Sequence, residues 1–149
     1  MRRILLTLAA AFCAVPVAAE PPDRISLHLG SAHFGVETDF EEINPGVFLT
    51  WERRLNYSVG AFRNSYGRMS VAATAGYDLW EQGRARLEVF GGLAHYPKDG
   101  RRLTGWSHDF VPLVGLRAHY DPVFISVLPG DGDTMDGVVT FGLTFDYPG

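Results

Sequence analysis

The sequence predicts an all-β protein, a single domain of eight antiparallel strands closed into a transmembrane β-barrel. Three observations point there. Short alternating segments recur along the chain, the turns between them switch between tight and long, and no mature segment is apolar for long enough to span a membrane as a helix.

The first nineteen residues are read as a signal peptide. Arg2 and Arg3 supply a positive n-region, Ile4 to Val17 an apolar stretch too short to span, and Val17-Ala18-Ala19 a small-residue cleavage site. The mature chain, residues 20–149, is expected to start at Glu20 and to form one barrel domain. Cys13, the only cysteine, follows Phe12 inside that peptide, whereas lipoprotein processing wants a small residue before the cysteine, so no lipid anchor is expected. Removing Arg2 and Arg3 from 13 basic residues leaves 11 against 17 acidic ones, a net charge of −6 with histidines neutral. Such a surface argues against nucleic acid as a partner.

Eight segments rich in β-branched, aromatic and small residues follow, separated by turn or loop residues. The first four are Ile25 to Phe34, Gly46 to Arg54, Tyr57 to Asn64 and Met69 to Leu79. Arg84 to Ala94, Phe110 to Tyr120, Val123 to Pro129 and Gly137 to Tyr147 complete the set. The last has the clearest period of two, with Val139, Phe141, Leu143, Phe145 and Tyr147 on one face and Thr140, Gly142, Thr144 and Asp146 on the other. An apolar face beside a small or polar one suits a soluble barrel with the apolar side inward, or a membrane barrel with it outward. The fourth segment favours the membrane barrel. There Val71, Ala73, Ala75, Tyr77 and Leu79 alternate with Ser70, Ala72, Thr74, Gly76 and Asp78, and burying Asp78 in a dry core would be costly.

Turn lengths agree. Leu55-Asn56, Trp80 to Gly83 and Tyr120 to Pro122 read as tight, whereas Gly35 to Pro45, His95 to Asp109 and Gly130 to Asp136 lie on the long-loop side. That asymmetry belongs to outer-membrane barrels, and the expected location is the outer membrane of a Gram-negative bacterium. Trp51, Tyr57, Tyr77, Trp80, Tyr120 and Tyr147 are candidates for interfacial aromatic girdles. Tyr147 stands two residues before the end, where outer-membrane barrels usually finish on an aromatic.

Proline cannot donate to a β-ladder, so Pro112, near the start of the sixth strand, and Pro129, at the end of the seventh, predict unpaired carbonyls at one end of neighbouring strands. In a closed barrel such a gap admits lipid from the side. The run Arg63-Asn64-Ser65-Tyr66-Gly67-Arg68 sits at a hairpin tip, with His33 at the end of an earlier strand. A serine, an amide and a histidine that meet on one rim suit acyl transfer.

Several of these segments occur in an order that resembles the lipid A palmitoyltransferase (PagP) family of small eight-stranded outer-membrane barrels. Asn44-Pro45-Gly46 resembles the opening of that family's second strand, and Arg63-Asn64-Ser65-Tyr66-Gly67 its active-site segment. Ala75-Gly76-Tyr77 follows at a similar spacing, Val111-Pro112-Leu113 and Leu128-Pro129-Gly130 look like its gate prolines, and Val138 to Tyr147 resembles its closing strand. Asn64 stands where well-known members carry aspartate, the loops are shorter, and an N-terminal amphipathic helix is lacking. The resemblance implies transfer of a fatty acyl chain, typically palmitoyl, from a glycerophospholipid donor to lipid A, by a protein expected to be a monomer, with no cofactor and no metal. It also implies a lateral gate at Pro45, Pro112 and Pro129.

Read from the residues, acyl transfer needs a base for the acceptor hydroxyl and donors for the developing oxyanion. His33 is the candidate base, Ser65 the candidate nucleophile or oxyanion donor, and Asn64 a donor or orienting amide, although an amide cannot replace a carboxylate in stabilising an imidazolium. His28 competes with His33, since strict alternation along the first strand turns one inward and the other outward. A bulge near Gly30 swaps the faces, and His33 is favoured because Ser31-Ala32-His33-Phe34 ahead of Asn44-Pro45-Gly46 best fits the family pattern. His95 and His108 flank a long loop on the same rim, and His119 lies at the opposite end.

The inward set Ser58, Gly60, Ala72, Thr74 and Gly76 is small and leaves a narrow lumen for one hydrocarbon tail, with Gly76 resembling the floor of the family's acyl-chain slot. Arg68, Lys98, Arg101 and Arg102 are placed on outer loops, within reach of lipid A phosphates. No phosphate-binding glycine loop, metal-ligand cluster or Gly-x-Ser-x-Gly elbow is present, and Asp131-Gly132-Asp133 reads as a turn. Alternatives are a lipid A deacylase, whose His-x-Ser on one strand is missing, a structural or adhesive eight-stranded barrel, and a soluble lipocalin-like barrel.

Overall fold

Period-two alternation does build eight strands, and a computed structural model describes them across residues 20–36, 39–133 and 135–148. The expected signal peptide, with Cys13, lies outside the described residues. In chain order the strands are β1 (Arg24–Phe34), β2 (Ile43–Glu52), β3 (Asn56–Arg63), β4 (Met69–Gln82), β5 (Ala85–His95), β6 (Phe110–Tyr120), β7 (Val123–Pro129) and β8 (Gly137–Asp146). Each pairs antiparallel with its sequence neighbours, and β8 returns to β1, so the sheet closes into a barrel without an edge. No helix among the described residues is long and apolar enough to cross a membrane.

Several strand ends shift by one or two residues, and three differences from expectation are larger. β2 starts at Ile43 rather than Gly46, because Ile43 pairs with Gly30 and the Glu42 carbonyl accepts from Ser31 N at 2.8 Å; Pro45 then sits inside the strand with a ladder partner on neither side. β4 runs past Leu79 to Gln82, through a bulge between Asp78 and Trp80, and the chain reverses at Gly83, whose φ of 61° suits glycine. The long loop after β5 holds a one-turn helix, α1 (Gly100–Thr104), ended by Gly105 in the left-handed region.

The alternation sorts side chains in the order a membrane barrel requires. Val47, Val59, Val71, Leu93, Val114, Ile125, Val127 and Phe141 face outward and are about half exposed. Tyr57, Tyr77, Trp80, Tyr120 and Tyr147 are also exposed on the outer face, whereas Trp51 is partly covered. Arg24, Arg86, Glu88 and Thr144 are buried inside.

The lumen has two compartments. At the tight-turn end, charges compensate one another: Glu52 forms an ion pair with Arg24 Nε at 2.6 Å and accepts from Arg86 Nη1 at 2.7 Å, and Glu88 pairs with Arg117 at 3.2 Å. Asn56 Nδ2 donates to Glu88 at 2.8 Å and to Asp78 at 3.1 Å, while Arg117 Nε donates to Ser126 Oγ at 2.9 Å. Asp78 thus faces this charged layer. Above it, the Phe90 ring covers the Arg117 guanidinium at 4.5 Å, and the lumen turns apolar toward the long-loop rim.

Candidate active site

Ser65 is carried by a turn that the Asn64 side chain folds. Asn64 Oδ1 accepts from Tyr66 N at 2.9 Å and Arg68 N at 3.1 Å, its Nδ2 donates to Ser70 Oγ at 2.9 Å, and Gly67 takes a φ of 77°. A second loop pins the crest, because Glu41 N donates to the Ser65 carbonyl at 2.9 Å.

His33 reaches Ser65 because β1 is bulged. Both ladders of β1 shift register between His28 and Gly30, and the extra residue turns His28 and His33 to the same inner side. Only glycine fits at Gly30, where a Cβ would lie 2.7 Å from the Glu42 carbonyl oxygen and 2.9 Å from the Phe141 ring. His33 Nε2 then stands 2.9 Å from Ser65 Oγ. With that nitrogen unprotonated, the serine hydroxyl donates to it and the pair is poised as base and hydroxyl. His28 sits deeper, between Phe48 and Phe124, with ring centroids 4.8 and 5.0 Å away.

Asn64, expected to donate to the reaction or to orient the site, is bound into the turn itself. The residue is fully buried, and its amide is committed to the turn and to Ser70, with no hydrogen bond to His33 or to the Ser65 hydroxyl. His33 Nδ1 is buried and has no hydrogen-bond partner among the described residues. What fixes the ring is Phe40, stacked on it with centroids 4.6 Å apart and planes 28° apart, and itself met edge-on by Tyr66. Phe40 was not legible as a site residue, since it lies in a loop without periodicity. Asn44, quoted only for its motif, ties the strands together at the mouth by accepting from Ser31 Oγ and donating to the Arg63 carbonyl.

The pair opens onto a cavity of about 500 Å³. Phe48, Phe62, Phe90, Leu113 and Leu128 form apolar parts of its wall, Ala72 and Thr74 also line it, and Tyr96 and Trp106 stand at the mouth. Burial pushes the Tyr96 phenol above its ordinary range, so it stays neutral. Two predicted pocket residues lie outside the wall. Gly60 is covered by the Phe48 ring and Gly76 by the Glu88 carboxylate, so the small residues make room for larger lumen side chains, and the floor is Phe90 over Arg117.

The prolines sit at breaks in the sheet. β6 and β7 pair only between Leu116/Val127 and Tyr120/Val123, leaving Phe110 to Gly115 bonded to β5 alone and Leu128 and Pro129 to β8 alone. Pro112 and Pro129 both line the cavity at that break. Pro45 marks a second break, since the β2–β3 ladder begins only at Gly46/Phe62, but it is not part of the cavity wall. His95 packs on Phe110 and His108 lies near Trp106, both away from Ser65, and His119 is buried at the far end against Phe124.

No cluster of three or more His, Cys, Asp or Glu side chains able to hold a metal occurs among the described residues. Compared with known protein families and with curated proteins, the chain matches no family model and no curated sequence.

Proposed function

We propose that this protein is an outer-membrane acyltransferase, a distant member of the lipid A palmitoyltransferase family, that moves a palmitoyl-like chain from a glycerophospholipid to lipid A. One observation carries the reading: a histidine–serine pair, 2.9 Å apart, at the mouth of an apolar cavity whose floor is the Phe90 ring over Arg117. A hydrolase of soluble esters has no use for a slot of that kind, whereas an enzyme that grips one hydrocarbon tail does.

The chemistry balances without a cofactor. His33 takes the proton of the acceptor hydroxyl as its oxygen attacks the donor ester, the ester bond to glycerol breaks, and the proton leaves with the lysophospholipid. Ser65 acts either as an oxyanion donor in that single step or as a nucleophile that carries the acyl group between two steps. The unpaired stretch between β6 and β7, flanked by Pro112 and Pro129, supplies a lateral entry at the depth of the cavity.

The membrane assignment is supported by the inside-out distribution of polarity. Exposed valines and aromatics outside and buried arginine–glutamate pairs inside fit lipid around the barrel. Strands of 10 to 11 residues in β1, β2, β5, β6 and β8 match the 9–11 or so that cross a bilayer at a tilt.

The test is mass spectrometry of lipid A from cells without endogenous lipid A acylation, expressing this protein or its His33→Ala and Ser65→Ala variants. The expected result is a gain of one long acyl chain that both substitutions abolish. Loss of a chain would point to the deacylase instead, and an unchanged lipid A from cells with a folded barrel would contradict the reading.

A further inference from the structure

The rim beside the His33–Ser65 pair holds an arrangement that acyl transfer itself does not use. Asp99, only 1% exposed, is buried at the start of α1, and two arginines approach different oxygens of its carboxylate. Arg68 Nη1 meets Oδ2, and Arg102 Nη1 meets Oδ1 at 3.4 Å. The carboxylate is buried but the arginine side chains are not, at 50% and 64% exposed.

Two cations share one anion, so one positive charge is left over. Each planar guanidinium carries five N–H donors, most of them free to face outward. Lys98, adjacent to Asp99, has no ion pair among the described residues and adds a second charge, whereas Arg101 is answered by Asp109 at 3.3 Å. The arginines are also held in place. Arg102 lies over the Tyr66 ring at 4.9 Å, Tyr66 directly follows Ser65 in the chain, and Arg68 closes the same turn through its backbone. Arginine side chains lose much rotamer freedom when fixed, and here a buried aspartate and an aromatic ring order them before any ligand arrives.

We propose that Arg68 and Arg102, set side by side by Asp99, form a phosphate-binding clamp that docks the phosphate monoester of the glycolipid acceptor beside Ser65. A monoester carries close to two negative charges near neutrality, matching the surplus of the pair plus Lys98, and presents several acceptor oxygens to two forked donors. A phosphodiester headgroup carries one charge and fits the surplus less well. The identity of the lipid rests on the acyltransferase reading; the clamp itself is measurable without turnover.

The experiment measures binding to the full-length mature barrel in a neutral detergent, with no acyl donor present. Probes are lipid A bearing its phosphates, enzymatically dephosphorylated lipid A, phosphatidylglycerol and inorganic phosphate. The variants are Arg68→Gln/Arg102→Gln and the charge-keeping Arg68→Lys/Arg102→Lys, each checked for heat-modifiable mobility.

The unsubstituted protein is expected to bind phosphorylated lipid A at least tenfold more tightly than the dephosphorylated form, the glutamine pair to abolish that preference, and the lysine pair to retain part of it. A preference untouched by the glutamine pair would overturn the clamp, as would equal weakening toward both forms of lipid A. A loss confined to phosphatidylglycerol would assign the arginines to the donor headgroup and overturn the monoester assignment, and inorganic phosphate binding as tightly as the lipid would overturn a lipid site. Acyl transfer assayed in parallel separates the two claims. Absent turnover with arginine-dependent binding sinks only the acyltransferase reading, and retained turnover with arginine-independent binding sinks only the clamp.

Discussion

Asn64 acts through the turn it folds. Its side chain accepts from two backbone N–H groups and donates to one hydroxyl in a fully buried position, so Asn64→Ala leaves those groups unpaired and is expected to cost about 1–3 kcal/mol. Asn64→Asp keeps the acceptor for Tyr66 and Arg68 and can accept from the Ser70 hydroxyl, so it should fold and retain transfer. Urea titration together with an acyl-transfer assay checks both, and an Asn64→Asp protein that is stable yet inactive would restore a chemical role for the amide. Adjacency in sequence suggested that role, but consecutive side chains on a tight turn splay apart. Ser65 and His33 were picked out by their hairpin-tip and strand-end positions and, for the choice of His33 over His28, mainly by the family pattern they resemble; the fold brings the two side chains together. Phe40, which holds the histidine ring, lies in a loop where nothing in the local pattern announces it.

Among the elements, β1 decides whether there is a site at all. A strand of strict alternation turns only one of His28 and His33 inward, and the bulge at Gly30 brings both in. Gly30→Val places side-chain atoms against the Glu42 carbonyl and the Phe141 ring, so β1 must shift at a cost of about 1–3 kcal/mol. The expected result is a barrel that still shows heat-modifiable mobility but has lost transfer, because His33 no longer meets Ser65; full activity would show that the bulge does not position the histidine. The strands themselves were readable because outward-facing and lumen-facing positions have opposite chemistry. The onset of β2 was not, since Asn44-Pro45 reads as a turn signal, and only the partner strand β1 shows that the chain there is already extended.

At the scale of the molecule, a barrel of eight strands leaves little free interior, and this one fills its lower half with paired charge and keeps its upper half apolar. The small inward glycines were visible in the sequence, but which larger side chains would occupy the space above Gly60 and Gly76 depended on cross-strand register. The boundary at Phe90 therefore sets the depth of the slot and, under the proposed function, the length of the chain transferred. Thr74→Leu fills the wall above the floor and is expected to shift the product to shorter acyl chains, whereas Phe90→Ala lowers the floor and should admit longer ones, read as product masses from a mixed-chain phospholipid pool. The central claim, that the rim pair passes an acyl chain from phospholipid to lipid A, is tested most directly with the purified barrel, isotopically labelled phospholipid and lipid A. The account predicts lipid A heavier by one labelled acyl chain, with equimolar lysophospholipid, and the rate of forming both down by about 10²–10⁴ in His33→Ala and in Ser65→Ala. Label recovered only as free fatty acid, or a labelled lipid A that both variants still produce as fast, would contradict it.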